Sequence, residues 1–310
     1  MENPITTTLD LVSSKKTLEK QLAELTWGSI EIRCVKGDDY IYLHRRESGI
    51  GRTFYVGKNE DVLYNQILRN NIEARTIKRE IRAIDAELKK AGYTESTVSE
   101  KVQMNIDFAK RSMADTIYKQ AVLEGVAVTF LDTERIIEGG KINNISADDV
   151  QKINNLKHTL QFILDEGVVT SPSGFHLLCL INKLVEEGFH FKAGSLRTVP
   201  VSIGGTTWKP DLPIESLIKE QLADLLSISD IYDRAISSLL FISKKQLFLD
   251  GNKRTSVIFA NHILVSAGAG LLAIPEAVVP EYRRILLDYY ESDNDEVIKH
   301  FLYDCITKLT

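Results

Sequence analysis

The sequence has few cysteines and no uninterrupted apolar run. Its three cysteines, Cys34, Cys179 and Cys305, are far apart and form no Cys-x-x-Cys pair, which argues against a disulfide framework and a zinc site. Polar residues and a proline interrupt the most apolar stretch, residues 257–279, which is typical of a buried helix and a turn rather than a membrane span. The N-terminus has no apolar segment behind a basic start, so no signal peptide is predicted. We therefore expect a cytoplasmic protein with no membrane partner.

Neither sign of charge dominates the composition. The formal net charge is -5, from 38 Lys and Arg against 43 Asp and Glu. A balance this close to neutral gives no overall reason to expect binding to nucleic acid or to an anionic membrane. The chain has 310 residues, of which 44% are hydrophobic, and this is enough for one large core or two domains.

Residues 29–58 differ from the rest of the chain. Three short runs rich in Ile, Val, Tyr and Phe are separated by turn residues, which predicts a three-stranded antiparallel meander. Helices are predicted on either side of it, at residues 13–25 and 60–91. Cations are interleaved with aromatic residues in this module: Arg33, Lys36, Tyr40, Tyr42, Arg45, Arg46, Arg52, Phe54, Tyr55 and Lys58. A solvated face over a small core is the commoner origin of this pattern, and binding of single-stranded nucleic acid is the alternative.

From about residue 97 the pattern is helix after helix, so the fold class is mainly α. Ser146 and Asp149 form a capping box at the start of one helix, and Gly167 is predicted to end it. One stretch, residues 193–213, is not helical. In it the run VPVSI, the pair Gly204-Gly205 and the run TTW predict a β-hairpin.

The segment QLFLDGNKRTS, residues 246–256, separates two predicted helices. An amphipathic helix precedes it, and the run that follows residue 252 is apolar at helical spacing. Gly251, Asn252 and Lys253 therefore lie at a helix N-terminus, where backbone N–H groups without intrahelical acceptors and the helix dipole attract an anion. The glycine also lets an anion approach the backbone closely.

Charged residues flank this helix start. Lys253 and Arg254 add positive charge, and a guanidinium group can bind a phosphate through two hydrogen bonds. Asp250 would repel a bare phosphate, but it fits a divalent cation that bridges to phosphate oxygens. An ordinary loop with a capping residue and solvated cations is the alternative.

The motif Phe248-Leu-Asp-Gly-Asn-Lys-Arg254 resembles that of the Fic (Fido) family, HxFx(D/E)GN(G/K)R. Ala193-Gly-Ser-Leu-Arg197 and the VPVSI run after it resemble the family's "aG..R...V.I" segment and flap. The resemblance implies a Fic-type helical bundle with a β-hairpin flap, preceded by the small three-stranded antiparallel module and long helices. The expected domains are residues 1–95, of unknown role, a linking helix at 96–130 and a Fic-like core at 131–310.

The resemblance also implies an activity. Family members transfer AMP, or another phosphate-containing group, from a nucleotide to a hydroxyl of a target protein, so ATP with Mg²⁺ and a protein target are the expected cofactors and partner. Asp250 would match the magnesium-binding acid, and Arg254 the first phosphate-binding arginine. The phosphate-cradling turn would be Gly251, Asn252 and Lys253. The flap, which aligns a target segment by strand addition, would include Val199, Val201, Ile203 and Thr206.

Two positions depart from the family pattern. Gln246 stands where the family has the histidine that takes the proton from the attacking hydroxyl, and an amide cannot act as that base. Val257 stands where many members have a second arginine. His262, further along, is interpreted as a packed helix residue. The sequence therefore predicts impaired transfer, and the alternative is an inactive Fic-fold regulator that binds a nucleotide or a protein.

A third segment, residues 133–139, resembles the family's inhibitory helix, (S/T)xxxE(G/N). In the family its glutamate pairs with the second arginine at the nucleotide site. Here Glu138 and Gly139 match, but Glu134 holds the Ser/Thr position and Val257 replaces the arginine. Glu138 is therefore a candidate inhibitory residue, a structural remnant, or a partner of Lys253 or Arg254.

Overall fold

The structure, a computed structural model, describes residues 4–35, 37–47, 50–91, 93, 98–140, 142 and 145–309. The chain divides into two compact units, Met1–Thr94 and Glu95–Thr310. The predicted domain boundary at residues 95 and 96 lies outside the described residues. No helix in the described part of the chain is long and apolar enough to cross a membrane.

The N-terminal unit consists of two helices and one antiparallel sheet. Its elements in chain order are α1 (Pro4–Glu24), β1 (Ser29–Val35), β2 (Asp38–Glu47), β3 (Ile50–Lys58) and α2 (Asp61–Lys90). The strands pair in the order β1-β2-β3, both pairs antiparallel, so the predicted meander is confirmed. Ile41 and Leu43 alternate with more exposed neighbours along β2 and pack with Ile67 of α2, because alternate side chains of a strand share one face.

Several cations of the strands pair with acids and rings on the sheet. Arg33 is 2.8 Å from Glu31 and stacks on the Tyr42 ring at 4.5 Å, and Lys58 is 2.7 Å from Asp38. These contacts fit the expected solvated face. Lys36 and the side chain of Arg46, both part of the predicted basic and aromatic pattern, lie outside the described residues.

The C-terminal unit is built mainly of helices. They are α3 (Glu100–Arg111), α4 (Met113–Leu123), α5 (Phe130–Ile137), α6 (Ala147–Ile163), α7 (Glu166–Val169), α8 (Phe175–Val185), α9 (Glu215–Leu226), α10 (Ile231–Lys245), α11 (Asn252–Ser266), α12 (Val279–Ser292) and α13 (Glu296–Asp304). A 3-10 turn at Glu276–Val278 and a two-stranded pair, β4 (Leu271–Leu272) with β5 (Ile306–Thr307), complete the unit. Helix α11 is buried over most of its length and contacts α3, α6, α8 and α10, which holds its N-terminus in a fixed position.

Three expectations need correction. Two helices, α3 and α4, replace the single linking helix expected at residues 96–130. Ser146 does cap α6, but the helix ends at Ile163 and Gly167 belongs to α7. The expected β-hairpin flap has its turn at Gly204-Gly205, but the fully described segment 198–210 forms no strands. Its backbone is held instead by side chains, as described below.

Candidate phosphate-binding site

The loop between α10 and α11 presents a helix N-terminus. Gly251 is the residue before α11 and has φ of 73°, a left-handed conformation that glycine adopts without steric cost. Gly251 has no side chain to cap the helix, and the Gly251 N–H itself donates to Asp250 Oδ1 at 2.6 Å. Asn252 bonds the backbone of Phe248 instead, donating to its oxygen at 2.8 Å and accepting from its nitrogen at 2.9 Å. The first N–H groups of α11 therefore have neither an intrahelical acceptor nor a side-chain cap.

Gln246 is bonded into the loop. It ends α10 in a left-handed conformation, with φ of 46° and ψ of 62°. Its side-chain amide donates to the Ser243 oxygen at 2.6 Å and accepts from Asn252 Nδ2 at 3.2 Å. Its backbone oxygen accepts from Arg197 Nε at 2.5 Å. Both the side chain and the backbone of Gln246 are thus held by hydrogen bonds in the loop, and its amide is not basic.

Arg254 lies in the first turn of α11 with only 5% of its side chain exposed. Its Nη2 is 2.9 Å from Glu186 Oε1 and 3.7 Å from Asp250 Oδ1. Its Nε is 3.7 Å from Glu124 Oε2, and Lys253 Nζ is 3.9 Å from the other oxygen of Glu124. In the described part of the chain, Nε and Nη1 of Arg254 have no hydrogen-bond acceptor. The guanidinium group therefore has unused donors, and carboxylates would compete with an incoming anion for it.

Glu186, which follows α8, is a site residue that sequence reasoning missed. Its side chain is 2% exposed, and its Oε1 is paired with Arg254 Nη2 at 2.9 Å. Burial raises the pKa of Glu186 to about 6, against the opposing effect of Arg254. A Cβ atom on Gly251 would lie 3.0 Å from both Cγ and Cδ of Glu186. The glycine is therefore needed for this close approach as well as for its left-handed backbone.

A group of potential cation ligands lies beside the loop. Ligand atoms of Glu186, His190 and Asp250 are all within 4.8 Å of one another. His190 Nε2 is 3.6 Å from Glu186 Oε2 and 3.9 Å from Asp250 Oδ2. Carboxylate oxygens suit Mg²⁺, and an added imidazole is also compatible with transition metals. The donor set thus fits a divalent cation at Asp250. No motif in the sequence connects His190 and Glu186 to the loop, so they were missed.

Of the alternatives given for Glu138, pairing with Lys253 or Arg254 is not observed, and Glu124 lies near both of these cations instead. Glu138 follows α5, is exposed, and contacts neither Lys253 nor Arg254. Glu124 follows α4 and lies close to both cations, as given above. Like Glu138, Glu124 is followed by glycine. This Glu-Gly pair was the only feature of the sequence that could have pointed to Glu124.

The two other positions singled out in the sequence lie in the core. Val257 is 4% exposed. His262 is buried, with Nε2 2.9 Å from the Val168 oxygen and Nδ1 2.9 Å from Ser173 Oγ. Burial lowers the pKa of His262 to about 4. The interpretation of His262 as a packed helix residue is confirmed.

The predicted flap is fastened to the core at both ends. Arg197 is buried and donates to the backbone oxygens of Val199, Pro210 and Asp211 at 2.6–3.1 Å. Beyond the turn, Glu291 of α12 accepts from the Thr207 N–H at 2.7 Å and from the hydroxyls of Thr206 and Thr207. These side-chain hydrogen bonds hold the segment in place of the backbone hydrogen bonds that would join the two strands of a hairpin.

Between the fastened ends, the flap has backbone that is not bonded. Val199 is 48% exposed, and Val201 and Ile203 are half-buried. No described residue forms a backbone hydrogen bond with Val201 or Ile203. The segment thus has backbone N–H and carbonyl groups that are not paired with the backbone of any described residue.

The fold and the site define a class of protein: a helical domain with a cation-flanked helix N-terminus next to a flap without strands. Residues 175–264 match the profile of the Fic/DOC family. The chain therefore contains a Fic-type domain, and the matched residues include α8, the flap, the loop and most of α11. Residues 8–65 match a second family, a domain of unknown function (DUF6788).

Solved structures support the same fold. Fic-1 from C. elegans aligns with a TM-score of 0.56 and 18% identity, covering 78% of this chain and 77% of that one. A Fic domain containing signaling protein from Bacteroides thetaiotaomicron aligns with a TM-score of 0.54 and 17% identity, covering 68% of this chain and 88% of that one. No curated protein sequence matches the chain.

Proposed function

We propose that the loop of residues 246–254 binds the phosphates of ATP together with Mg²⁺, and that the protein transfers AMP to a protein hydroxyl slowly or not at all. The observation that carries this proposal is the contrast between the two halves of the loop. Its second half has donors and cations for an anion. Its first half has Gln246 where the family has a base, and the amide of Gln246 is occupied by loop contacts.

Phosphate binding is supported by the α11 N-terminus. Its uncapped N–H groups, the left-handed Gly251 and the unused donors of Arg254 are on one short segment. Backbone N–H groups at a helix start bind anions readily, and a guanidinium group adds charge-assisted hydrogen bonds. Lys253, 40% exposed, contributes a further cation.

A divalent cation is supported by the donor set of Asp250, Glu186 and His190. Asp250 is the most accessible of the three, with 61% of its side chain exposed. When bound there, Mg²⁺ would neutralise negative charge on the nucleotide phosphates. Family members use ATP and Mg²⁺, and we propose the same cofactors for this chain.

A protein target at the flap is supported by the unpaired backbone near Val201 and Ile203 and by the exposed Val199. A segment with unpaired backbone groups can accept a strand from a partner. The hydrogen bonds of Arg197 and Glu291 would hold both ends of that segment in place before a target binds.

Without a base at position 246, two versions of this function are possible: slow transfer, or binding without transfer. A general base typically contributes about a hundred- to ten-thousand-fold in rate, so a Fic site without one would bind ATP and turn over slowly. The second form is a regulator that binds nucleotide or protein without chemistry. It is favoured by the same contacts of Gln246, because they give this residue a role that does not involve proton transfer.

The test compares wild type with Gln246→His and Gln246→Asn. Histidine and asparagine both tolerate a left-handed backbone better than most residues, so either can replace Gln246, but only histidine restores a base. MgATP affinity is measured by calorimetry, and transfer of radiolabelled AMP is measured in a cell lysate. Binding by all three proteins with transfer only by Gln246→His supports the proposal. Family-level transfer by wild type would contradict the slow turnover, and no MgATP binding by any of them would rule out the site.

A further inference from the structure

The carboxylates of Glu186 and Asp250 lie between a cation and an imidazole. Arg254 Nη2 is 2.9 Å from Glu186 Oε1 and 3.7 Å from Asp250 Oδ1. His190 Nε2 is 3.6 Å from Glu186 Oε2 and 3.9 Å from Asp250 Oδ2. Each carboxylate therefore has one oxygen nearest to Arg254 and its other oxygen nearest to His190.

The distances around His190 suit the ligands of one ion better than they suit hydrogen bonds. A hydrogen bond between an imidazole and a carboxylate has about 2.7–3.0 Å between its two heavy atoms, which is shorter than both contacts of His190. A metal ion with bonds of about 2.0–2.2 Å keeps neighbouring ligand atoms roughly 3–3.6 Å apart. The observed 3.6 Å and 3.9 Å are close to that spacing. The side chain of Asp250, 61% exposed, has room to move the remaining few tenths of an ångström.

Backbone contacts bring the three donors together. Glu186 and His190 are four residues apart where α8 ends, and the His190 N–H still bonds the Glu186 oxygen at 3.5 Å, so the two side chains lie on the same side of the chain. Asn182, 1% exposed, connects this turn to the loop, because it donates to the Asp250 oxygen at 3.0 Å and accepts from the Gly194 N–H at 2.9 Å. Donors held close in advance lower the cost of binding an ion.

The charges of the group also favour a cation. Glu186 is 2% exposed, and a buried carboxylate is costly without a compensating positive charge. Arg254 compensates Glu186 and Asp250, but it also lies near Glu124, and the contact of Lys253 is with Glu124. Three carboxylates therefore share two cations, and a divalent ion beside His190 would supply the missing positive charge.

From this arrangement we infer that Glu186, His190 and Asp250 bind a first-row transition-metal ion through protein ligands alone, before a nucleotide binds. The inference rests on the cation site of the proposed function and specifies the kind of ion that this site prefers. Mg²⁺ is held in proteins by one or two carboxylates together with waters and substrate phosphates, so we expect it to bind here together with ATP. An imidazole ligand favours transition metals, whose affinity for such a site rises from Mn²⁺ towards Cu²⁺. Three protein ligands leave open positions on the ion, which nucleotide phosphates can take afterwards.

The test titrates Co²⁺ into the whole chain without nucleotide, by calorimetry and by visible absorption, which reports the ligands and the geometry of bound Co²⁺. The parent protein carries Cys34→Ser, because the exposed Cys34 thiol could also bind Co²⁺, and it has no histidine tag. The test variant adds His190→Gln. The matched control adds His300→Gln, because His300 Nε2 is likewise 3.7 Å from a carboxylate four residues away, Asp304, but belongs to no three-donor group among the described residues. Thermal unfolding checks that all three proteins are folded.

We expect the parent protein to bind one equivalent of Co²⁺ and His190→Gln to bind it at least tenfold more weakly. Even the loss of a residue that only supports a metal ligand typically costs about ten- to a hundredfold in affinity. His300→Gln should stay within about twofold of the parent protein, and about a tenfold excess of Mg²⁺ over Co²⁺ should not displace the bound Co²⁺. Equal weakening in both variants, displacement by that excess of Mg²⁺, or no binding of Co²⁺ by the parent protein would overturn the inference.

A separate titration of MgATP into the parent protein distinguishes this inference from the proposed function. Binding of MgATP without binding of Co²⁺ would refute the transition-metal site and leave the phosphate site supported. Binding of Co²⁺ that depends on His190, without binding of MgATP, would support the metal site and refute the phosphate site.

Discussion

Replacing Glu124 by glutamine is expected to tighten MgATP binding. Glu124 has its two carboxylate oxygens 3.7 Å from Arg254 Nε and 3.9 Å from Lys253 Nζ. These are the cations that the proposed phosphate site needs. Glutamine keeps the size of the side chain and removes its charge, so the change tests the electrostatic competition alone.

The expected size of the effect follows from the distances. Two unit charges at about 4 Å attract by about 4 kcal/mol at an effective dielectric constant of about 20. Lys253 is 40% exposed, so solvent screens much of its attraction to Glu124. In wild type, the attraction between Glu124 and the two cations is only partly lost when a phosphate binds, because the Glu124 carboxylate can stay near them. A net gain of about 1.4–2.7 kcal/mol remains, which corresponds to a ten- to hundredfold lower Kd.

The assay is calorimetric titration of MgATP into wild type, Glu124→Gln and Glu138→Gln at one pH and salt concentration. Glu138→Gln is the matched control, since it removes the same charge from the exposed glutamate that the sequence pattern singled out. It should leave the Kd unchanged within about twofold. In a Lys253→Gln background the gain from Glu124→Gln should shrink, because one of the two competing contacts is already absent.

Equal Kd values for the two glutamine variants would refute this reasoning, provided that thermal unfolding shows both to be folded. Tighter binding by Glu138→Gln alone would mean that Glu138, and not Glu124, competes with the phosphates for the cations. A gain that persists undiminished in the Lys253→Gln background would assign the whole effect to Arg254.

Three further predictions concern stability. Gly251→Ala should lower the free energy of unfolding by about 1–3 kcal/mol in urea denaturation, because alanine is strained at φ of 73° and its Cβ would press on Glu186; an unchanged midpoint would contradict the fixed loop. Arg197→Lys should cost about 2–4 kcal/mol and open the flap to proteolysis, because an ammonium group cannot replace the divergent bonds of the guanidinium; cleavage at the wild-type rate would count against that role. Burial lowers the pKa of His262 to about 4, so below about pH 6.5 the unfolded chain takes up a proton that the folded chain does not. Wild type should therefore lose about 3 kcal/mol more than His262→Gln as pH falls from 7 to 4, and parallel pH profiles would refute this.

Features that depend on neighbours in the chain could be predicted from the sequence alone. The N-terminus of α11 follows from Gly251 and from the apolar spacing after it, because helix starts and left-handed glycines have local signals. The prediction that the loop has no base follows from the identity of Gln246 within the motif. The three-stranded meander follows from alternation and turn residues, since hairpins of neighbouring strands pair within a short stretch.

The flap shows where local signals were insufficient. Its valines and its Gly-Gly turn favour a hairpin, and the turn is formed. The contacts of Glu291 and Arg197 then hold the chain on both sides of that turn without a ladder. Because these side chains come from outside the segment, the pattern of residues 199–208 could not reveal them.

Only the tertiary structure decided which carboxylates surround the cations of the loop. A Glu-Gly pair occurs four times in the chain, at residues 124, 138, 166 and 187, and nothing in the pattern selects the first. Glu124 reaches Arg254 because α4 and α11 are brought together by packing, and Glu186 reaches it because the end of α8 lies beside Gly251. Contacts between residues so distant along the chain depend on how the helices pack, and helix packing leaves no local signal in the sequence.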